Sequence, residues 1–218
     1  HIDIRRQFYL LPILQAESVS FQDGREYRML EVASIPLSGE APGQGGQAPF
    51  TVGIAFVVDT TLSMDPYIDK VRNALTDFVR ATAAEPGAPT RYALVGFRNS
   101  LSVQPHLEYL NRTFAKFADS TDAEGFIRKI RDVKATNVDS LSFNEDSFAA
   151  IVEAIDNLDW GDIQGRVIIL VTDAGSRLPT DPASATRMGP EEIGNKARAA
   201  SVVVMALHLK TPAGRANH

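Results

Sequence analysis

Asp59, Thr61 and Ser63 place three oxygen-bearing side chains at alternate positions of the run Asp59-Thr60-Thr61-Leu62-Ser63. Oxygen donors at i, i+2 and i+4 of a tight turn can face one centre, and a hard divalent cation such as Mg²⁺ takes oxygens while keeping part of its water. A second acid, Asp173, ends a similar passage, Val167-Ile-Ile-Leu-Val-Thr-Asp173. Two carboxylates in one crevice repel unless a cation or a shared proton compensates, and a divalent ion is the simplest compensation. Taken alone, Asp59 also suits a plain turn former, with Thr61 and Ser63 capping backbone groups.

The elements on either side decide whether those oxygens can meet. Val52 to Val58 is an uninterrupted, β-branched apolar run, which predicts a strand buried on both faces with Asp59 emerging at its carboxyl end. Asp65-Pro66 predicts the N-cap and first residue of a helix. Its inner face is the stripe Ile68, Val71, Leu75, Phe78, Val79 and Thr82. Further along, Tyr92 to Phe97 reads as a strand and Leu107 to Phe117 contains another extended segment. Ala123 to Val133 reads as a helix, the stripe Phe148 to Leu158 as a second, Val167 to Val171 as a buried strand, Pro190 to Ala200 as a helix, and Val202 to Leu207 as a further buried strand. Strands alternating with helices predict an α/β fold of three layers, a doubly wound and mostly parallel sheet with helices on both faces. In such sheets ligands bind beyond the carboxyl ends of the strands, where the order reverses. Asp59 and Asp173 share that crevice if their strands are neighbours.

Upstream, Phe8 to Phe21 and Arg25 to Leu37 read as two strands joined through Asp23-Gly24, a turn-forming pair, so residues 1–37 are expected to form a β-hairpin extension. Residues 38–49, Ser-Gly-Glu-Ala-Pro-Gly-Gln-Gly-Gly-Gln-Ala-Pro, read as a flexible connector, and residues 50–218 as the main domain. The chain opens on His1 without a signal peptide or an 18-residue apolar span, and is expected to be part of a longer polypeptide.

Composition narrows the function. Net charge is -5 and the sequence pI about 5.4, with no basic run, which argues against nucleic-acid binding. There is no cysteine, so disulfides, thiolate catalysis and zinc–thiolate sites are excluded while the compartment stays open. His1, His106, His208 and His218 lack ligand spacing. Trp160 beside Gly161 is expected to pack at a helix end.

These residues resemble the von Willebrand factor A domain, whose metal-ion-dependent adhesion site (MIDAS) combines a strand-terminal Asp-x-Ser-x-Ser loop, a Thr or Asp from a second loop, and an Asp after the fourth strand. Asp59 to Ser63 resembles the first element with Thr61 for the first Ser, and Thr172-Asp173-Ala174 the third. The second departs from the family pattern: Asp139-Ser-Leu-Ser142-Phe-Asn144-Glu-Asp-Ser-Phe148 is similar to an Asp-x-Pro-Glu-Asp variant that puts Ser142 at the ligand position. Asp139 and Asn144 are the other candidates there, and Asn144 equally suits an N-cap of the following helix. The likeness covers about residues 50–209, and the family usually continues for one more helix and strand. It implies a metal set of Asp59, Thr61, Ser63, Ser142 and Asp173, a bound Mg²⁺ (or Mn²⁺ or Ca²⁺), and no catalysis. It also implies a protein partner that supplies an acidic residue, with no nucleic acid and no membrane insertion of this region. The wording Phe56-Val-Val-Asp-Thr-Thr-Leu-Ser-Met-Asp-Pro-Tyr-Ile68 further resembles the A-domain region of bacterial serine/threonine kinases associated with type VI secretion. That would put this region in the periplasm of a bacterium, with the kinase and a membrane span elsewhere in the polypeptide.

Two other classes fit parts of the pattern. Haloacid-dehalogenase phosphatases open on Asp-x-Asp-x-Thr after a strand, but Thr61 stands where their second, acid–base Asp would be, and threonine cannot protonate a leaving group as a carboxylic acid can. An A-type scaffold that has lost its metal is the other. The sequence contains no Gly-x-x-x-x-Gly-Lys-Ser/Thr loop and no kinase motif set.

Overall fold

A computed structural model describes residues 13–20, 26–32, 50–84, 89–120 and 122–217. The chain divides into two compact units, His1–Gln47 and Ala48–His218. In the first, strand β1 (Ile13–Ser20) pairs antiparallel with β2 (Glu26–Val32), Val19 opposite Tyr27, with a register slip between Ile13 and Gln15. The Asp23-Gly24 turn and the connector 38–49 lie outside the described residues.

The second unit is built on one five-stranded sheet. Its strands are β3 (Val52–Asp59), β4 (Thr90–Phe97), β5 (Asn111–Ala115), β6 (Gly165–Thr172) and β7 (Val202–His208), in the order β5-β4-β3-β6-β7. All neighbours are parallel except β5, which runs antiparallel to β4. The apolar run of β3 explains its central place. Ile54, Phe56 and Val58 enter one core with helix α1 (Ile68–Ala84) and helix α2 (Ala123–Ile130). Ala55 and Val57 enter the opposite core with α3 (Ser147–Asn157) and α4 (Pro190–Ala199). Alternate side chains of one strand thus bind both helical layers, each buried large side chain contributing about 1.5–3 kcal/mol.

This is the doubly wound α/β architecture the alternation implies, and it departs locally in four places. After Thr61 the chain coils into a 3₁₀ turn, Leu62–Tyr67, and the α-helix begins only at Ile68. Met64, fully buried, pins that turn into the core, and Pro66 stands inside it, two residues ahead of the first α-helical residue. At α3 the N-cap position falls on Asp146 rather than Asn144. Strand β7 lies at the edge of the sheet rather than inside it, and its alternate residues Val203 and Leu207 are 43% and 54% exposed. A short helix α5 (Pro212–Asn217), invisible in the apolar pattern, follows β7. Trp160 does pack beyond the end of α3: it is buried, its ring centroid 4.6 Å from that of Phe117, and its Nε1 donates to the Ala154 carbonyl. Among the described residues no helix is long and apolar enough to cross a membrane.

Candidate metal centre

Strands β3 and β6 are parallel neighbours with Val58 opposite Val171, so Asp59 and the Thr172-Asp173 pair leave the sheet side by side. The helices α1 and α2 lie on one face and α3 and α4 on the other, so the loops after these two strands diverge at a switch point. Asp59 and Asp173 are both fully buried. Asp59 Oδ1 accepts from the Thr61 backbone N–H at 2.9 Å and from Thr61 Oγ1 at 2.6 Å, while its Oδ2 accepts from Thr172 Oγ1 at 2.7 Å. Thr61 Oγ1 lies 3.2 Å from Ser63 Oγ, which donates to Asp173 Oδ1 at 3.0 Å. The remaining oxygen, Asp173 Oδ2, accepts from Thr211 Oγ1 at 2.6 Å. The structure therefore brings Asp59, Thr61, Ser63 and Asp173 into one hydrogen-bonded group. Thr60 fixes the loop from behind, donating Oγ1 to the Phe97 carbonyl at 2.8 Å. Gly96 leaves room for the Phe114 ring, which a Cβ there would approach to 2.6 Å, with Thr60 Cγ2 at 3.3 Å.

The second loop is held by different means. Leu141 takes a left-handed backbone, φ 63°, and is exposed, while Ser140, Glu145 and Asp146 of the same loop are buried. Ser142 is exposed at its tip. Ser142 Oγ accepts from Arg177 Nη2 at 2.6 Å and from Asn99 Nδ2 at 2.9 Å, and donates to the Asn144 carbonyl at 3.2 Å. Among the described residues no hydrogen bond joins it to the other four. Arg177, buried, also donates Nε to Asn99 Oδ1 at 2.6 Å and pairs with Asp181. Asp139 is exposed and accepts from the Leu141 N–H, and Asn144 is exposed as well. Glu145 is clamped by its backbone: its N–H donates to the Gly175 carbonyl and its carbonyl accepts from the Arg177 N–H, both at 3.0 Å. It is only 3% exposed, and among the described residues its Oε2 has no hydrogen-bond partner. Ser63, Ser140, Ser142 and Glu145 line one cavity of about 330 Å³.

Electrostatically the pocket is short of positive charge. Burial, added to by the charge of Asp173, pushes Asp59 up to about 6 against the bonds from Thr61 and Thr172. Burial also pushes Glu145 up to about 9, with the Asp59 and Asp173 charges adding to it and Arg177 opposing. The donors are all oxygen, two carboxylates and two hydroxyls in contact, with no histidine or thiol among them, which suits a hard dication rather than a soft one. Among the described residues no three His, Cys, Asp or Glu side chains are placed to hold one ion, so hydroxyls and water would complete the shell. With those limits the group fits a divalent cation.

No family model matches the chain, and no curated protein matches it. Among solved structures it is similar to proximal thread matrix protein 1 of the mussel byssus, with TM-scores of 0.55 and, in a second crystal form, 0.52. The identity is 18% and the overlap is 72% of this chain. A further structure of that protein, with a zinc-occupied MIDAS motif, matches with a TM-score of 0.52. The fold is von Willebrand A-like. At 18% identity the likeness speaks for the fold, and this chain spans about a third of the mussel protein's length, 35% and 36% in the two crystal forms. In this A-like domain the roles of Thr172, Thr211, Asn99, Arg177 and Glu145 went unread in the sequence. Thr172 was within reach, being the hydroxyl beside Asp173. Glu145 reads equally well as a helix first-turn acid, and a single loop arginine carries no spacing signal at all.

Proposed function

We propose that this domain is a non-catalytic, divalent-cation-dependent interaction module that binds an acidic residue of a partner protein. The observation that carries the reading is the meeting of two fully buried carboxylates, Asp59 and Asp173, through the hydroxyls of Thr61 and Ser63, with neither carboxylate paired to a cationic side chain among the described residues. Thr61 and Ser63 are the direct hydroxyl donors in this reading, and Asp59 and Asp173 bind directly or through water. Ser142 joins the set only by giving up its bond to Arg177. When bound, a Mg²⁺, Mn²⁺ or Ca²⁺ ion supplies an open coordination position for an outside carboxylate oxygen. The mussel protein's zinc-occupied MIDAS supports a divalent ion at this end of the fold.

The narrower assignment, to a periplasmic region of a bacterial type VI secretion-associated kinase, has as its support the wording Phe56 to Ile68. The deciding experiment titrates Mg²⁺ or Mn²⁺ by calorimetry into the wild type and into Asp59→Ala, with a generic phosphate ester assayed in parallel. Binding that the substitution weakens more than 100-fold, without turnover, is the expected result. Metal-dependent hydrolysis would transfer the domain to the phosphatases, and absence of binding to the wild type would leave a metal-free scaffold.

A further inference from the structure

Thr211 lies outside the ligand set above, yet it touches one of the acids in it. It is 2% exposed, and its hydroxyl is engaged twice. Oγ1 accepts from the Gly214 N–H at 2.9 Å, which caps the first turn of α5, and donates to Asp173 Oδ2 at 2.6 Å. A hydroxyl has a single proton to give, and here it goes to a buried carboxylate at a distance typical of charge-assisted O–H···O⁻ bonds. Capping α5 needs only the accepting half of that arrangement, so the donating half serves Asp173. The rest of the segment has the same effect. The Leu209 N–H donates to the Thr172 carbonyl at 2.8 Å, and Gly214 sits so close to Asp173 that a Cβ there would stand 2.9 Å from the Asp173 backbone oxygen. Residues 209–214 therefore brace Asp173, and they do so at the carboxylate oxygen that Ser63 does not use.

We infer that Thr211 is a positioning residue of the cation site: it occupies Asp173 Oδ2 so that Asp173 offers the ion Oδ1 alone, and it thereby favours a small octahedral cation over Ca²⁺. This rests on the reading of the centre as a divalent-cation site. Asp59 is arranged alike, its Oδ2 held by Thr172 and its Oδ1 by Thr61, so each acid has one oxygen on the linked hydroxyls of Thr61 and Ser63 and the other tied to a threonine outside that pair. Two carboxylates giving one oxygen each, with hydroxyls and water filling the remainder, suit an ion such as Mg²⁺ that demands octahedral geometry and keeps several waters. Ca²⁺ takes more oxygens in a looser shell and gains from a carboxylate that can present both of its own. Held at Oδ2, Asp173 denies it that second oxygen.

The test titrates Mg²⁺ and, separately, Ca²⁺ into the whole chain by calorimetry, comparing wild type with Thr211→Val, which keeps the shape and removes the hydroxyl. Mg²⁺ affinity is expected to fall about 10- to 100-fold, the range for losing a partner that orients a metal ligand. Ca²⁺ affinity is expected to stay within about threefold, because a freed Asp173 can turn both oxygens to the larger ion. Thr211→Ser keeps the hydroxyl and should restore the wild-type ratio of the two affinities. Equal losses for the two ions overturn the inference, since a merely structural role lowers both together, and unchanged affinities for both overturn it as well. Either result leaves the cation reading standing, whereas a wild type that binds neither ion overturns both. Should Thr211→Val fail to fold, as judged by thermal melting in EDTA, Gly214→Ala decides. Alanine favours the helix but its Cβ pushes the first turn of α5 off Asp173, so the affinity ratio is expected to shift toward Ca²⁺, and an unchanged ratio overturns the inference.

Discussion

Two regions of the same cleft are held in opposite ways. The strand-end group of Asp59 and Asp173 is positioned by the sheet: neighbouring strands in fixed register deliver the acids side by side, and short local bonds from Thr61 and Thr172 orient them. The second loop, with Ser142 and Glu145, has no such frame. Its shape depends on Asn99 and Arg177, which come from 43 and 35 residues away from Ser142. A site can therefore combine a rigid acidic floor with a wall that stands only as long as one buried guanidinium does.

The largest way to test that contrast is to remove the guanidinium. Arg177→Met takes one donor each from Asn99 Oδ1, Ser142 Oγ and Asp181 and strips Glu145 and Asp146 of opposing charge. Breaking one side of a buried charged network costs about 3–5 kcal/mol, which for a domain of this size lowers the melting temperature by roughly 10 °C. Divalent-cation affinity is expected to stay within tenfold of wild type in calorimetry, because the floor does not use Arg177. A loss as complete as in Asp59→Ala would show that floor and wall are one unit.

Next in size is a pH effect on the metal-free protein. Folded Asp59 keeps its proton up to about pH 6, against an ordinary value of 3.8, so the folded chain holds more protons than the unfolded one between those pH values and stability falls as pH rises through them. The drop is about 3 kcal/mol at most. Glu145, ordinarily 4.5 and here about 9, extends the fall through neutral pH in the same direction. Chemical denaturation in EDTA from pH 4 to 9 should trace this decline, Asp59→Asn should flatten its acid part, and saturating Mg²⁺ should reverse it. A flat profile in EDTA would mean that neither acid is buried uncompensated.

The same contrast explains what could be read from the chain before its structure. Val52 to Val58 and Val167 to Val171 are apolar runs whose physics is local, so two strands ending in acids are legible from residue types alone, whereas the floor they form depends on the pairing of β3 with β6. Where the strands sit is less so: Val202 to Leu207 reads as buried because it is apolar, yet β7 lies at an edge. The start of the first helix misleads for a related reason, since Asp65-Pro66 is a valid N-cap pair and only the burial of Met64 coils the chain sooner. The wall is not legible because nothing in the spacing of Asn99, Ser142 and Arg177 says that they meet. The resemblance puts Ser142, with Asp139 and Asn144 as alternatives, at a ligand position, and it takes the three-dimensional network to show the Ser142 hydroxyl already engaged by two donors.

The smallest effect tests that last point by pairing one serine from each region. Ser63 Oγ bridges Thr61 and Asp173 inside the floor, so Ser63→Ala removes both a cation donor and the hydroxyl between the two acids. It should weaken Mn²⁺ binding about tenfold, on the order of 1.4 kcal/mol. Ser142→Ala removes a strut instead: Arg177 Nη2 and Asn99 Nδ2 lose one acceptor, at a cost of about 0.5–1.5 kcal/mol in stability, while ion affinity changes less than threefold. Because Ser142 is exposed, water can take its place at both donors, which holds the stability cost to the lower part of that range. Equal losses of Mn²⁺ affinity in the two variants would place Ser142 at the ion after all, and would require Arg177 to release it when the cation binds.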